Sequence, residues 1–117
     1  MRLNDLARCL GARILTHENR AATIQVSRAF AANRMSDLLA GADSSTLLIS
    51  SLSNPHLLRA LELLDVPCLC LASDAHPTDA FVAAARDHDK VVLLSPDTLA
   101  ETCRRVREQG LACASRP

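Results

Sequence analysis

A chain of 117 residues is the size of one domain, and its 49% hydrophobic share is ample for a core. Thirteen basic residues balance thirteen acidic ones, so no net field draws the protein to nucleic acid or to anionic lipid. Aromatics are confined to Phe30 and Phe81, which removes the stacking platform of single-strand and RNA binders, and no nucleic-acid partner is expected.

Met1-Arg2-Leu3-Asn4-Asp5 lacks the apolar run of a signal peptide, and no stretch approaches the length of a membrane span. No membrane association is expected. Five cysteines, an odd number, read as reduced thiols and point to the cytoplasm. The first helix signal is Asn4 as a cap, with Asp5 near the positive end of the dipole and Leu6, Cys9 and Leu10 on one face. Gly11 stands where a helix C-cap belongs. Strand candidates follow at Ala12 to Thr16 and Thr23 to Ala29, separated by the polar turn His17-Glu18-Asn19-Arg20, so a hairpin or a local excursion is expected. The polar stretch Asn33 to Asp37 then precedes a short helical segment ending near Gly41.

From Thr46 the pattern becomes regular. Leu47-Leu48-Ile49 is followed by a polar loop and by Pro55, which opens a helix to about Leu64. Cys68 to Ala72 repeats the apolar run, then Ser73 to His76, then Pro77 and a helix to about His88. Val91 to Leu94 repeats it again, with Ser95, Pro96 and a last helix to Gln109, closed by Gly110. Short runs apolar at every position are strands covered on both faces, and a proline suits the first helical turn because that amide has no intrahelical acceptor. The expected fold is a single three-layer α/β domain over 1–117, a mostly parallel sheet with helices on both faces, and with 112–117 as a flexible tail. Leu57, Leu58, Leu61 and Leu64 are expected to face the core, as are Leu99, Cys103 and Val106. Glu101 and Arg105 form an i,i+4 pair.

In a parallel sheet, ligands gather at the carboxyl ends of the strands, beside helix N-termini. The repeat sends Ser50, Ser51, Ser53 and Asn54 to that edge, with Ser73, Asp74 and His76 from the second loop and Ser95 and Thr98 from the third. Three helix starts, small hydroxyls and one histidine would suit a phosphate or carboxylate. The plainer alternative makes Asn54 and Ser95 helix caps and the rest solvated loop. Cys68 and Cys70 share a strand face without the further ligands a metal needs, so they read as small core hydrophobes. Cys9 and Cys103 read the same way, and Cys113 as a free exposed thiol. Met35, Ser36 and Asp37 form a candidate interaction loop, or else a turn in which Ser36 or Asp37 caps the next helix. There is no P-loop, no Gly-x-Gly-x-x-Gly after a strand and no Gly-x-Ser-x-Gly elbow. Asp74 with His76 could be an acid–base pair, but nothing specifies a nucleophile beside it. No catalytic residue, metal or cofactor is assigned.

These residues carry a family resemblance. Met35-Ser36-Asp37-Leu38-Leu39-Ala40 resembles the "M-S-D-x-L-A" segment of stand-alone DRTGG-domain proteins. The segment from Leu47 to Pro55 resembles their "L-L-x-T-G-L-x-N-P". Thr98 to Leu111, with Glu101, Cys103 and Gly110, is similar to their closing "T-x-x-E-x-C-x-x-L-x-x-x-G-L". The likeness runs from Leu3 to Leu111 in one register. Ser50-Ser51 stands in place of the Thr-Gly step, and the five-letter signature itself is absent. Such proteins are related to the N-terminal regulatory part of HPr serine kinase, and the domain also occurs beside CBS domains. The resemblance implies a parallel α/β domain, frequent homodimers and a regulatory or ligand-sensing role, without kinase activity. It also suggests a protein partner in a metabolic or redox system, since some members accompany hydrogenases. The expected function is a non-catalytic regulatory module that binds a small anionic ligand or nucleotide at the strand-end loops. The alternative is a homodimeric adaptor with no small ligand.

Overall fold

The computed structural model describes residues 1–115. Helix α1 spans Leu3–Leu10 and buries Leu3, Leu6, Ala7 and Leu10. The helix begins one residue before the expected cap: Asn4 lies inside it, and Arg2 holds the cap position without a side-chain bond. Cys9 is exposed rather than on the apolar face, because Leu3, Leu6, Ala7 and Leu10 already make an i, i+3, i+4, i+7 stripe that excludes it. Gly11 closes the helix at φ 65°, the left-handed conformation that glycine adopts without a Cβ penalty.

Strand β1 (Arg13–Ile14), helix α2 (Glu18–Ala21) and strand β2 (Arg28–Ala31) follow. No hairpin forms. The expected polar turn is a helical turn, and β2 begins later than the Thr23 expected for it. The two strands lie far apart in one six-stranded sheet of order β1-β5-β4-β3-β2-β6. The remaining elements are α3 (Met35–Gly41), β3 (Thr46–Ser50), α4 (Pro55–Leu63), β4 (Cys68–Leu71), α5 (Asp79–Asp87), β5 (Val91–Leu94), α6 (Leu99–Glu108) and β6 (Ala112–Ser115). Strand β1 pairs antiparallel with β5, and the other ladders are parallel. The expected flexible tail is therefore a strand through Ser115; Arg116 and Pro117 lie outside the described residues.

The chain steps one way across the sheet from β2 to β5, so right-handed crossovers put α3, α4 and α5 on one face. The return from β5 to β6 reverses direction and puts α6 on the other face, with α1. Two apolar clusters record this. Leu38, Leu57, Leu58, Leu61, Phe81 and Ala85 pack with Leu48, Leu69 and Val92 on one side of the sheet. Leu3, Leu6, Leu10, Cys103 and Val106 pack with Leu47, Ile49, Cys68, Cys70 and Leu93 on the other. The alternation along β3, β4 and β5 between the two clusters is the period of a strand covered on both faces. The expected three-layer architecture is present.

Only the first repeat has its proline at the start of the helix, where Pro55 follows the cap Asn54. Helices α5 and α6 begin at Asp79 and Leu99 behind side-chain caps Thr78 and Thr98, so Pro77 and Pro96 precede the caps. Glu101 pairs with Arg104 instead of Arg105, because Arg105 is drawn to Asp97 at 2.7 Å and to the carbonyls of Cys9 and Leu10. Among the described residues no helix is long and apolar enough to cross a membrane.

Candidate functional site

The parallel strands bring the loops after β2, β3, β4 and β5 to one edge, as the repeat requires. The connections leaving β4 and β5 turn to opposite faces, so the point where an open sheet of this kind offers a crevice lies between those two strand ends. Here Ser73 donates its amide to the carbonyl of Asp97 at 2.9 Å, joining the two loops.

The polar side chains expected at this edge are tied to one another. Asn33, at the end of β2, accepts at Oδ1 from the Ser51 amide at 2.8 Å and from the Ser50 hydroxyl at 3.2 Å. The buried Ser50 oxygen in turn accepts from the Leu52 amide. The Ser51 hydroxyl donates to Asp74 Oδ1 at 2.6 Å, linking the β3 loop to the β4 loop. Ser95 is buried, shares a hydrogen bond with Thr102 of α6 at 2.8 Å and accepts from the Asp97 amide. It fastens its own loop instead of capping α6, a task done by Thr98.

Of the remaining candidates, Asn54 caps α4 by accepting from the Leu57 amide. Ser53 is half-buried, and the side chains of Ser73 and His76 point to solvent. Asp74 and His76 stand two apart in an exposed loop with no hydrogen bond between them. The structure thus gathers Ser50, Ser51 and Asp74 into one network and leaves His76 outside it. Asn33, Asp97, Thr102 and Arg105 complete the edge and are not among the candidate ligand residues, Asn33 having been expected only in the polar stretch before α3. Asn33 directly follows the apolar Ala29 to Ala32, as Ser50 follows Leu47 to Ile49, and a correctly placed β2 would have marked it.

Electrostatically the edge is mixed. Asp97 is paired with Arg105, while Asp74 is exposed and accepts from the Ser51 hydroxyl. The arrangement offers acceptors from the carboxylates and a few backbone donors at the helix starts, since Pro55 has no N–H and the Leu57 and Phe81 amides already donate to the caps Asn54 and Thr78. That combination suits a ligand carrying both hydroxyls and an anionic group better than a bare anion.

The stretch Met35, Ser36 and Asp37 forms the first turn of α3, capped by the Arg34 backbone, so neither Ser36 nor Asp37 is the cap. Met35 borders an apolar groove of about 440 Å³ between α3 and α4, with Leu39, Ala60, Leu63 and Leu64. Ser36 and Asp37 do not line it. A second, more polar groove of about 550 Å³ lies between α1, β1 and α2. Neither groove is at the strand-end loops.

The cysteines divide into two kinds. Burial pushes the thiols of Cys68 and Cys70 up to about 12, which makes them inert core groups as expected. Cys103 and Cys113 are joined by a disulfide, with Cα atoms 5.8 Å apart, which corrects the expectation of reduced thiols for this pair. Cys113 is 6% exposed, not a free surface thiol, because the β6–β2 pairing turns it inward beneath α6.

No protein-family profile and no curated protein matches the chain. The crystal structure of the CBS and DRTGG domains of the regulatory region of Clostridium perfringens pyrophosphatase, complexed with activator, diadenosine tetraphosphate, is similar in fold. It superposes with a TM-score of 0.69 at 17% sequence identity, over 89% of this chain and 45% of that one. The chain thus spans less than half the length of that structure. The likeness bears out the DRTGG-like α/β fold.

Proposed function

We propose that the chain is a non-catalytic regulatory module that takes a nucleotide along its strand-end loops. The observation that carries this is the hydrogen-bonded network Asn33–Ser50–Ser51–Asp74, at the edge of the sheet that also carries the capped starts of α4, α5 and α6. Asp74 would accept from ribose hydroxyls, and the His56 amide of α4 and the Asp79 and Ala80 amides of α5, beyond those the caps engage, would donate to phosphate. A ligand that takes over Asp74 would release Ser51 and loosen the tie between two loops, which gives binding a structural consequence. The fold it shares with a regulatory region complexed with a nucleotide activator supports the same reading. A cytoplasmic location and kinship to the regulatory part of HPr serine kinase belong to this proposal.

Thermal-shift measurements with adenine nucleotides, diadenosine tetraphosphate and inorganic phosphate test it. Stabilisation by nucleotides at millimolar concentration, weakened in Asp74→Asn, is expected; a ligand at 100 times its dissociation constant adds about 2.7 kcal/mol. No shift with any nucleotide would sink the proposal. A second reading, self-association through the α3–α4 groove, is favoured by the exposure of Leu39 and Leu63 on its walls.

A further inference from the structure

The edge strand β6 is held in an unusual way. Its residues Ala112, Ala114 and Ser115 are exposed, and Cys113 is its one buried side chain. It adds a ladder to β2 alone. Within the strand the hold on the core therefore runs through a single sulfur, bonded to Cys103 of α6, together with Arg107, whose Nε donates to the Cys113 carbonyl at 2.9 Å. Leu111, just before the strand, packs partly buried on the same core. Helix α6 also grips the strand-end loops, through Thr102 to Ser95 and Arg105 to Asp97. We propose that Cys103 and Cys113 form a reversible thiol–disulfide switch that clamps or frees the β6 edge of the sheet. This goes beyond the ligand reading and does not depend on it.

The chemistry needs a small disulfide such as oxidised glutathione as the oxidant. The Cys113 thiol, the more exposed of the two at 6% against 1%, loses its proton and attacks one sulfur of the small disulfide. One thiolate leaves, and Cys113 carries a mixed disulfide. The Cys103 thiol, deprotonated in turn, attacks the Cys113 sulfur and expels the second thiolate. Two protein thiols become one disulfide, one small disulfide becomes two thiols, and the two protons end on those thiols. Excess small thiol runs the same steps backwards. Cys68 and Cys70 are sealed within the sheet and Cys9 lies on α1, so no other cysteine sits on these two elements.

With the bond open, β6 has its four-residue ladder and no apolar side chain beyond one thiol to hold it. Its fraying would expose the backbone of β2 from Arg28 to Ala31, a sheet edge able to pair with another strand. The test equilibrates the intact protein in glutathione buffers of graded redox ratio, traps free thiols by alkylation and reads the sites by mass spectrometry. Hydrogen exchange of residues 112–115 and 28–31 is followed in parallel. The expected result is interconversion of the pair across the series, with exchange in β6 faster on reduction by on the order of tenfold or more. Strands β3, β4 and β5 should hold their protection. Cys113→Ser should exchange like the reduced protein in every buffer, and Cys9→Ser should respond like wild type. The proposal is overturned if the pair stays oxidised in excess glutathione or reduced in excess glutathione disulfide. Equal exchange of β6 in the two states, or a response that vanishes with Cys9→Ser, overturns it as well. Because the wild-type chain is read in both states, a variant that fails to fold leaves the test intact.

Discussion

Asn33 accepts two hydrogen bonds at its Oδ1, one from a backbone amide and one from a buried hydroxyl. Asn33→Ala leaves both donors without their acceptor, and a loss of about 1–2 kcal/mol in urea unfolding is expected. A loss near zero would mean that water replaces the amide oxygen, and that the network is not a fastening of the β2 and β3 ends. A second residue links charge to stability. Asp43 accepts from the Ser45 hydroxyl and amide, from the Thr46 hydroxyl and from Arg28, and these bonds hold its carboxyl well below the ordinary 3.8. A depressed folded value means that the stabilisation is full above the ordinary value and is lost as the pH falls through the folded one. Asp43→Asn should therefore be less stable than wild type at neutral pH, with the gap closing below about pH 4. A gap that stays constant with pH would show the carboxylate bonds to be unimportant.

At the scale of elements, the repeated strand–loop–helix pattern is legible because each of Leu47–Ile49, Cys68–Ala72 and Val91–Leu94 is apolar at consecutive positions. A strand covered on both faces must be so. Helix starts are less legible. A proline is accepted at the first helical position, but it is accepted equally in the extended segment before a cap, so Pro77 and Pro96 alone do not say where α5 and α6 begin. The caps do. Thr78 accepts from the Phe81 amide and Thr98 from the Glu101 amide. Thr78→Ala and Thr98→Ala should each lose about 1 kcal/mol by chemical denaturation. Pro77→Ala and Pro96→Ala should lose about 0.5 kcal/mol, the restriction that proline places on the unfolded chain. The reverse ranking would return the helix starts to the prolines. Strand β6 was illegible for a different reason: its residues Ala112-Cys113-Ala114-Ser115 are all small, with Cys113 alone turned inward, and so short a run of small residues reads as readily as a tail. The site suffered likewise, since a β2 placed too early hid that Asn33 lies in the loop just beyond its carboxyl end.

For the whole molecule, the strand order is what the chain conceals. Each strand and helix is written locally, but the reversal after β5 depends on which edge of a finished sheet remains open to β6. That reversal sends α6 to the opposite face, while the one-way stepping from β2 to β5 sets α3 and α4 side by side with a groove between them. Leu63 is 83% exposed there and Leu39 43%. Two leucines opening on one apolar groove form a patch of the kind that marks contact surfaces, whereas scattered surface leucines carry no such meaning. Burying them against a second copy would remove about 1.5–3 kcal/mol of unfavourable hydration for Leu63 and roughly half of that for Leu39, which is already partly covered. The wild-type chain should then sediment as a dimer at high concentration, and the double variant Leu39→Glu with Leu63→Glu as a monomer. Because neither side chain helps to fill the core, the dilute double variant should unfold at the same temperature as the dilute wild type. A wild-type chain that remains monomeric at high concentration rules out self-association through this groove. A variant that unfolds earlier would instead place the two leucines in the core of the fold.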